Sequence, residues 1–422
     1  GLGFLNTWDY PIYLVIVVLA YAARRWIDER PPLARWVVDV AAFGALLLAV
    51  GVALYLPFYL SFRSQAGGIG AVGDVKTRLH QYGLMFGVFL FFVASLLGAL
   101  AWRYARGSRR GREIPLLGQV AGAVLLVLAV FSAVRGWWTA SLVFALLALD
   151  AALLVWGARP TGDTERPAPR LPESVLFALL LVLMGLALTV SVEFIFLRDT
   201  FGSRMNTVFK FYYQGWVLLG LASAFGAYYV AERLTRRRSP GRWAAVGVWG
   251  LLGVLLVGTG LCYTVTAAVA KADGFSGAPT LDGTRYIAQW RADDYAAVQW
   301  LRANAPEDAV MVEATGGQYT EYNWVSAHSG VPTLLGWGGH ELQWRGSYDV
   351  PRIREPAIAT IYQSTDAAET QRVIAAYGID YVYVSRLERA KYQVSQAVMR
   401  KFDRMMTRVF EQGDVVIYGQ RY

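Results

Sequence analysis

Four stretches of this 422-residue chain gather side chains able to do chemistry. The first, Asn6-Thr7-Trp8-Asp9-Tyr10-Pro11, sets an amide, an indole and a carboxylate at the start of an apolar run. Two readings of Asp9 are open: a helix cap beside an interfacial aromatic anchor, or a catalytic carboxylate at a membrane surface. The second, VEFIFLRDTFGSRMNTVFKFYYQGW, carries Glu193, Arg198, Asp199, Arg204, Asn206 and Lys210 between two apolar runs. Asn206, Lys210 and Tyr213 or Gln214 recur at helical spacing and share a face. Charges at such depth are expensive unless they meet a cavity or a partner. Lys210 snorkelling to the interface, Glu193 pairing with an Arg or Lys, and a site for an anionic ligand all stay open. In the last, Arg offers phosphate a bidentate fork and Lys a point charge.

The third stretch, SFRSQAGGIGAVGDVKTRLHQYG, surrounds a glycine run with Arg63, Asp74, Lys76, Arg78 and His80. The run lets backbone approach a ligand or another loop. It lacks Walker spacing, and an ordinary flexible loop fits it as well. The fourth comprises GGQYTEYNWVSAHSG and LLGWGGHELQWRGSYD, dense in Trp, Tyr, Gly, His and Glu. Aromatic faces beside carboxylates and amides suit sugar recognition, and equally a dry seam. His340-Glu341 in its Gly-rich loop, beside Trp337, is the substrate-facing candidate; His328 is expected to pack on its own helix. Three scattered histidines make no zinc constellation. A lone divalent ion held by Asp9 and Glu193 stays open.

The elements that must position these residues lie in a membrane. Hydrophobic residues make up 55% of the chain and charged ones 17%, and mean hydropathy is positive. A bilayer core needs roughly 20 apolar residues per helix. Eight runs are expected to span: Tyr10–Ala23, Trp36–Tyr59, Tyr82–Trp102, Leu116–Val134, Thr139–Trp156, Leu176–Phe196, Val208–Tyr229 and Trp243–Ala268. Arginines cluster at 24, 25, 30 and 35, at 103, 106, 109, 110 and 112, at 159, 166 and 170, and at 233, 236, 237, 238 and 242. These are the loops after spans one, three, five and seven, so they share one side, and the positive-inside rule makes it cytoplasmic. A transmembrane domain over 1–270 and an extracytoplasmic domain over 271–422 follow.

In that tail short helices and strands alternate: a helix through DDYAAVQWLRANAP, a strand at DAVMVEAT, a helix at YNWVSAHSG, an extended VPTLLGW, a helix at TDAAETQRVIAAYG, a strand at IDYVYVS, a helix over Gln393–Met405 and a closing hairpin at RVFEQGDVVIYGQ. The pattern implies a small α/β layer. The tail holds 16 Lys/Arg against 18 Asp/Glu, so the chain's net +9 belongs to the cytosolic loops facing anionic lipid, and nucleic acid is not an expected partner. Cys262, the single cysteine, falls in the eighth span as a packing residue. The start at Gly1 lacks a charged n-region, so no signal peptide is expected there; a longer, processed protein or a partial chain is.

NTWDYP, SQAGGIG, SRMNTVFKFYYQ and LLGWGGHELQWRG resemble blocks of the large bacterial and archaeal "YYY" integral membrane proteins, a family of uncharacterised function. More distantly the layout resembles GT-C class membrane glycosyltransferases, including oligosaccharyltransferases. The resemblance implies a GT-C-like polytopic bundle with a C-terminal extracytoplasmic α/β domain in the cell membrane, and transfer of a sugar from a polyprenyl-phosphate-linked donor at the outer face. It implies Asp9 as base, with Glu193 as helper or ligand of a divalent cation (Mg or Mn). Arg204 and Lys210, with Asn206 and Arg198, would hold the donor phosphate, and Trp8, Trp337, His340 and Glu341 the acceptor side. GT-C enzymes have more spans than eight, so an upstream segment or partner membrane subunit is expected to carry further machinery. The rival is a non-catalytic scaffold or lipid-binding subunit of a larger complex. A transporter ranks third, because its charges would sit near mid-bilayer.

Overall fold

The computed structural model describes residues 1–62, 67–106, 114–158, 171–199, 201–236 and 240–420. Arg63, the run's Ser64, Gln65 and Ala66, and Arg109, Arg110, Arg112, Arg159, Arg166, Arg170, Arg237 and Arg238 lie outside the described residues. The chain divides into two compact units, Gly1–Gly274 and Phe275–Tyr422.

The first unit is helical: α1 (Leu2–Leu5), α2 (Asp9–Asp28), α3 (Leu33–Leu54), α4 (Leu56–Ser61), α5 (Leu79–Ala105), α6 (Leu116–Val134), α7 (Trp138–Gly157), α8 (Glu173–Ser191), α9 (Met205–Thr235) and α10 (Pro240–Lys271). Each expected span overlaps one of the eight long helices, α2, α3 and α5 to α10. Six are long and apolar enough to cross a membrane: α2, α3, α5, α7, α8 and α10 from Trp243. The described apolar part of α6, Gly118–Val134, is shorter. The middle of α9 is diluted by Tyr, Gln, Trp, Gly and Ser.

Two expected spans end early, each for a local reason. Trp36–Tyr59 is not one helix: α3 stops at Leu54, Tyr55 leaves the helical region, and Pro57 opens the short α4. Leu176–Phe196 likewise stops at Ser191, because Ile195–Leu197 forms a strand, β2. It pairs antiparallel with β1 (Ile69–Ala71), setting Gly70 opposite Phe196. A Cβ on Gly70 would stand 2.6 Å from the Phe196 ring, so the glycine run serves a backbone approach to another loop.

The core of this unit is built by α5, α7, α8 and α9, with α8 enclosed along most of its length. Small residues bring α8 and α9 together: a Cβ on Gly185 would meet Leu219 Cγ at 2.7 Å, and one on Gly215 would meet Thr189 Cγ2 at 2.9 Å. Peripheral helices are held by few contacts. No residue of α3 is buried, and it rests on α2 through Tyr21–Phe43 stacking and a Trp36 Nε1 bond to the Ala22 carbonyl. The indole Nε1 of Trp249 on α10 donates to Ser95 Oγ on α5 at 3.0 Å.

The second unit is a small α/β layer. Strands β3 (Met311–Val312), β4 (Tyr381–Val384), β5 (Thr407–Gln412) and β6 (Val415–Gly419) run in the order β3-β4-β6-β5, with β3 and β4 parallel and the other pairs antiparallel. Helices α11 (Arg285–Trp290), α12 (Ala292–Asn304), α13 (Trp324–Ser329), α14 (Gly338–Arg345), α15 (Asp349–Gln363), α16 (Ala367–Tyr377), α17 (Arg386–Tyr392) and α18 (Gln396–Met405) complete it. Asp366 caps α16 through the Ala368 and Glu369 N–H groups, and Gly378 ends it in the left-handed region. The expected Gly-rich loop around His340 is instead helix α14. The stretch after it forms α15 despite Pro351 and Pro356. Pro351 lies in the first turn, where an N–H has no intrahelical partner, and Pro356 lies inside the helix.

Candidate functional site

At the N-terminal ends of α2 and α9, Asn6 joins three of the predicted site residues. Its Nδ2 donates to Asp9 Oδ1 at 3.0 Å, and its Oδ1 accepts from the Trp8 N–H and from Lys210 Nζ, each at 3.3 Å. The ammonium of Lys210 also lies 5.1 Å from the centre of the Trp8 ring, and Trp8 packs edge-on against Phe211. Tyr13 donates to Gln214 at 2.7 Å, one helical turn beyond Lys210, so the Lys210/Gln214 face of α9 meets α2. Asp9 is not a cap: Trp8 holds that position, no side chain caps the helix, and Asp9 opens the first turn. A carboxylate there is favoured by the helix dipole. Among the described residues no carboxylate lies within ion-pair distance of Lys210, so its charge is met by an amide oxygen and a ring face.

Glu193 and Arg204 form a separate group. Glu193 is fully buried, and its carboxylate accepts from the Thr77 N–H at 2.8 Å, from Thr77 Oγ1 at 2.5 Å and from Arg204 Nη1 at 3.0 Å. Arg204, at the N-cap of α9, also donates to the Val192 carbonyl at 2.9 Å. Two of the expected site residues are partnered within the protein. The Arg204/Lys210 clamp is not one group, because the Arg204 guanidinium neutralises Glu193. Glu193 does not stand open as a helper carboxylate, because Thr77 and Arg204 occupy both of its oxygens. The pairing of Glu193 with an Arg, left open by the sequence, is what forms. Among the described residues no three His, Cys, Asp or Glu side chains gather as a metal site.

Nearby, Lys76 donates to the Val72 carbonyl at 3.3 Å and to the Glu193 carbonyl, and lies 4.6 Å from the centre of the Trp137 ring and 5.1 Å from that of Phe194. Burial pulls the pKa of its ammonium below the usual lysine value, against the opposing pull of Glu193. Asn206 donates to Asp199 Oδ2 at 2.9 Å. The exposed Arg198 extends the β1–β2 pairing through backbone bonds to Gly67 and Gly68. Neither contact ties Asn206 or Arg198 to Lys210.

In the second unit Trp337, His340 and Tyr319 form a ring cluster, with centroids 5.0 Å apart for Trp337–His340, 5.1 Å for Tyr319–His340 and 5.4 Å for Tyr319–Trp337. Trp337 and Tyr319 follow the carboxyl ends of the bridged Thr333 segment and of β3, the edge of a parallel arrangement where ligands commonly bind. Trp337 Nε1 donates to the Tyr322 carbonyl at 2.7 Å, which fixes the indole. His340 Nε2 is buried without a hydrogen-bond partner among the described residues. Glu341 pairs with Arg345 one turn on. His328 Nδ1 lies 2.7 Å from the Trp324 carbonyl of its own helix.

Asn6 and Thr77, the residues that organise the two groups of the first unit, were not among the candidate site residues. The Asn6-x-x-Asp9 spacing is the signal that finds the first. Thr77 carries none, since its contacts cross 116 residues of chain.

No curated protein matches this chain. A family described as "Uncharacterized membrane protein (DUF2298)" matches residues 1–219, just over half of the sequence. With six helices among the described residues long and apolar enough to cross a bilayer, the chain is a multi-pass membrane protein and belongs to that uncharacterised family.

Proposed function

We propose that this protein is a GT-C-like membrane glycosyltransferase that moves a sugar from a polyprenyl-phosphate-linked donor to an acceptor at the outer membrane face. The observation that carries the reading is Lys210. It is a cation held against Trp8 and Asn6 with no neutralising carboxylate among the described residues, and Asn6 joins it to Asp9 at the start of an apolar helix. A lipid phosphate supplies the missing anion, and the apolar helices face its hydrocarbon chain. In the transfer, Asp9 accepts the proton of the acceptor nucleophile as that atom bonds to the anomeric carbon. The bond from that carbon to phosphate oxygen breaks, and the charge growing on the leaving phosphate falls to Lys210. In the alternative in which a divalent cation, Mg or Mn, takes part, Asp9 would hold it instead of acting as base, and the cation would supply positive charge to the donor phosphate. The arginine-rich loops, read as cytoplasmic, support an outer position for the second unit.

A non-catalytic lipid-binding subunit is the second reading. It is favoured by the Glu193–Arg204 pair, which removes one cation and one acid from the expected machinery. Lipid mass spectrometry on gently purified protein tests the donor site. A polyprenyl-phosphate species present in wild type and depleted in Lys210→Ala supports it. Only bulk phospholipid in both, from a folded preparation, removes it.

A further inference from the structure

The turn between α6 and α7 carries a second cationic group that the proposed reaction does not use. Arg135 lies 4.8 Å, and Lys76 4.6 Å, from the centre of the Trp137 ring. The counter-charge of Arg135 is slight: its one ion pair among the described residues is a 3.7 Å contact to Asp74, whose side chain is 93% exposed. Trp137 packs edge-on against Phe131 at 6.0 Å. Phe131 ends a shallow groove of about 390 Å³ that is lined by Leu126, Val127, Val130 and Phe131 and runs along the outward face of α6. All four are exposed. The neighbouring Trp138 is exposed too, and Trp at a helix end marks the headgroup level of a bilayer.

From this arrangement we infer that the α6–α7 turn binds one anionic phospholipid of the surrounding membrane, its phosphate at Arg135 and Lys76 and one acyl chain along the Leu126–Phe131 groove. Charge complementarity names the occupant. A zwitterionic lipid carries its own ammonium and gains nothing net from two cations, whereas an anionic headgroup does. Arg adds a fork matched to phosphate oxygens, and Lys76 and Arg135 lie 4.6 and 4.8 Å from the centre of one ring, Trp137, with the exposed Asp74 as the weak counter-charge of Arg135. The groove is open along its length, as suits a lipid that exchanges with the bilayer.

The test is native mass spectrometry of the full chain in detergent, with phosphatidylglycerol or phosphatidylcholine added in turn. Wild type is expected to retain phosphatidylglycerol in preference to phosphatidylcholine. Arg135→Ala is expected to weaken that retention about fivefold, the worth of one interfacial cation, and Arg135→Lys to restore most of it. Lys210→Ala is expected to leave it unchanged, which separates this site from the proposed donor site. Equal retention of the two lipids by wild type overturns the inference. So does loss in Lys210→Ala with none in Arg135→Ala, or a preference for polyprenyl phosphate over phosphatidylglycerol that depends on Arg135.

Discussion

Removing Arg204 should destabilise the first unit severely, and removing Glu193 as well should give part of that stability back. Glu193 is fully buried and has three donors: the Thr77 N–H, the Thr77 hydroxyl and Arg204. In Arg204→Ala the carboxylate keeps the two neutral donors and loses its cation, and a buried charge stripped of its partner costs about 3–5 kcal/mol. Glu193→Gln keeps the size and an acceptor for Thr77. It leaves Arg204, whose side chain is 19% exposed and still bonded to the Val192 carbonyl, without an anion, at about 1–3 kcal/mol. In the double variant no charge is stranded. Its loss should therefore fall below that of Arg204→Ala alone, and the coupling energy should reach about 2 kcal/mol. The assay is reversible unfolding of all four proteins in one mixed-micelle system, titrated with SDS and followed by circular dichroism. Additive losses, or an Arg204→Ala protein within about 1 kcal/mol of wild type, would refute the buried-pair reasoning.

Three further outcomes follow from the packing and the charges. Gly185→Val puts branched carbon where even a Cβ meets Leu219 at 2.7 Å, so unfolding in the same micelles should show a loss of at least about 2 kcal/mol. Tyr362→Phe removes the hydroxyl that bonds the buried carbonyls of Val312 and Tyr383 at 2.9 and 2.7 Å, and should cost the second unit about 1–3 kcal/mol in thermal or urea unfolding. Burial pushes the Glu313 carboxyl up to about 7, against the lowering pull of the Ser326 N–H. The folded state then holds the proton more tightly than the unfolded one, so this contribution is intact below about pH 4.5 and is lost as pH rises through 7. Glu313→Gln should flatten the stability-against-pH curve by about 3 kcal/mol across that window; an unchanged slope would count against it.

Hydrophobic run length was enough to locate all eight long helices of the first unit, because lipid-crossing helices demand uninterrupted apolar residues. Their ends were less legible. Tyr55 and the Ile195–Leu197 strand interrupt predominantly apolar runs without a polar break in the sequence at that point, and β1 and β2 are three residues each, held by pairing across more than a hundred residues. In the tail, the strong cap and stop signals around Asp366 and Gly378 marked α16 plainly. Helix α15 was hidden by two prolines, and α14 by the two glycines at its start. At the candidate site, residue types pointed to Asp9, Trp8 and Lys210, each of which bonds Asn6. Types alone do not say which acid takes which cation: Arg204 and Lys210 lie six positions apart on one helix end, yet Glu193 claims the first and Asn6 the second. That division depends on where Thr77 and Asn6 fall in three dimensions.

Transfer from a lipid-linked sugar with Asp9 as base is measured most directly as release of polyprenyl phosphate from a polyprenyl-phosphate sugar by the purified protein in liposomes, compared between wild type and Asp9→Asn at equal donor occupancy. Wild type is expected to release it, and Asp9→Asn to lose at least about a hundredfold with donor binding retained. Equal release by both, or none from wild type carrying bound donor, would contradict it.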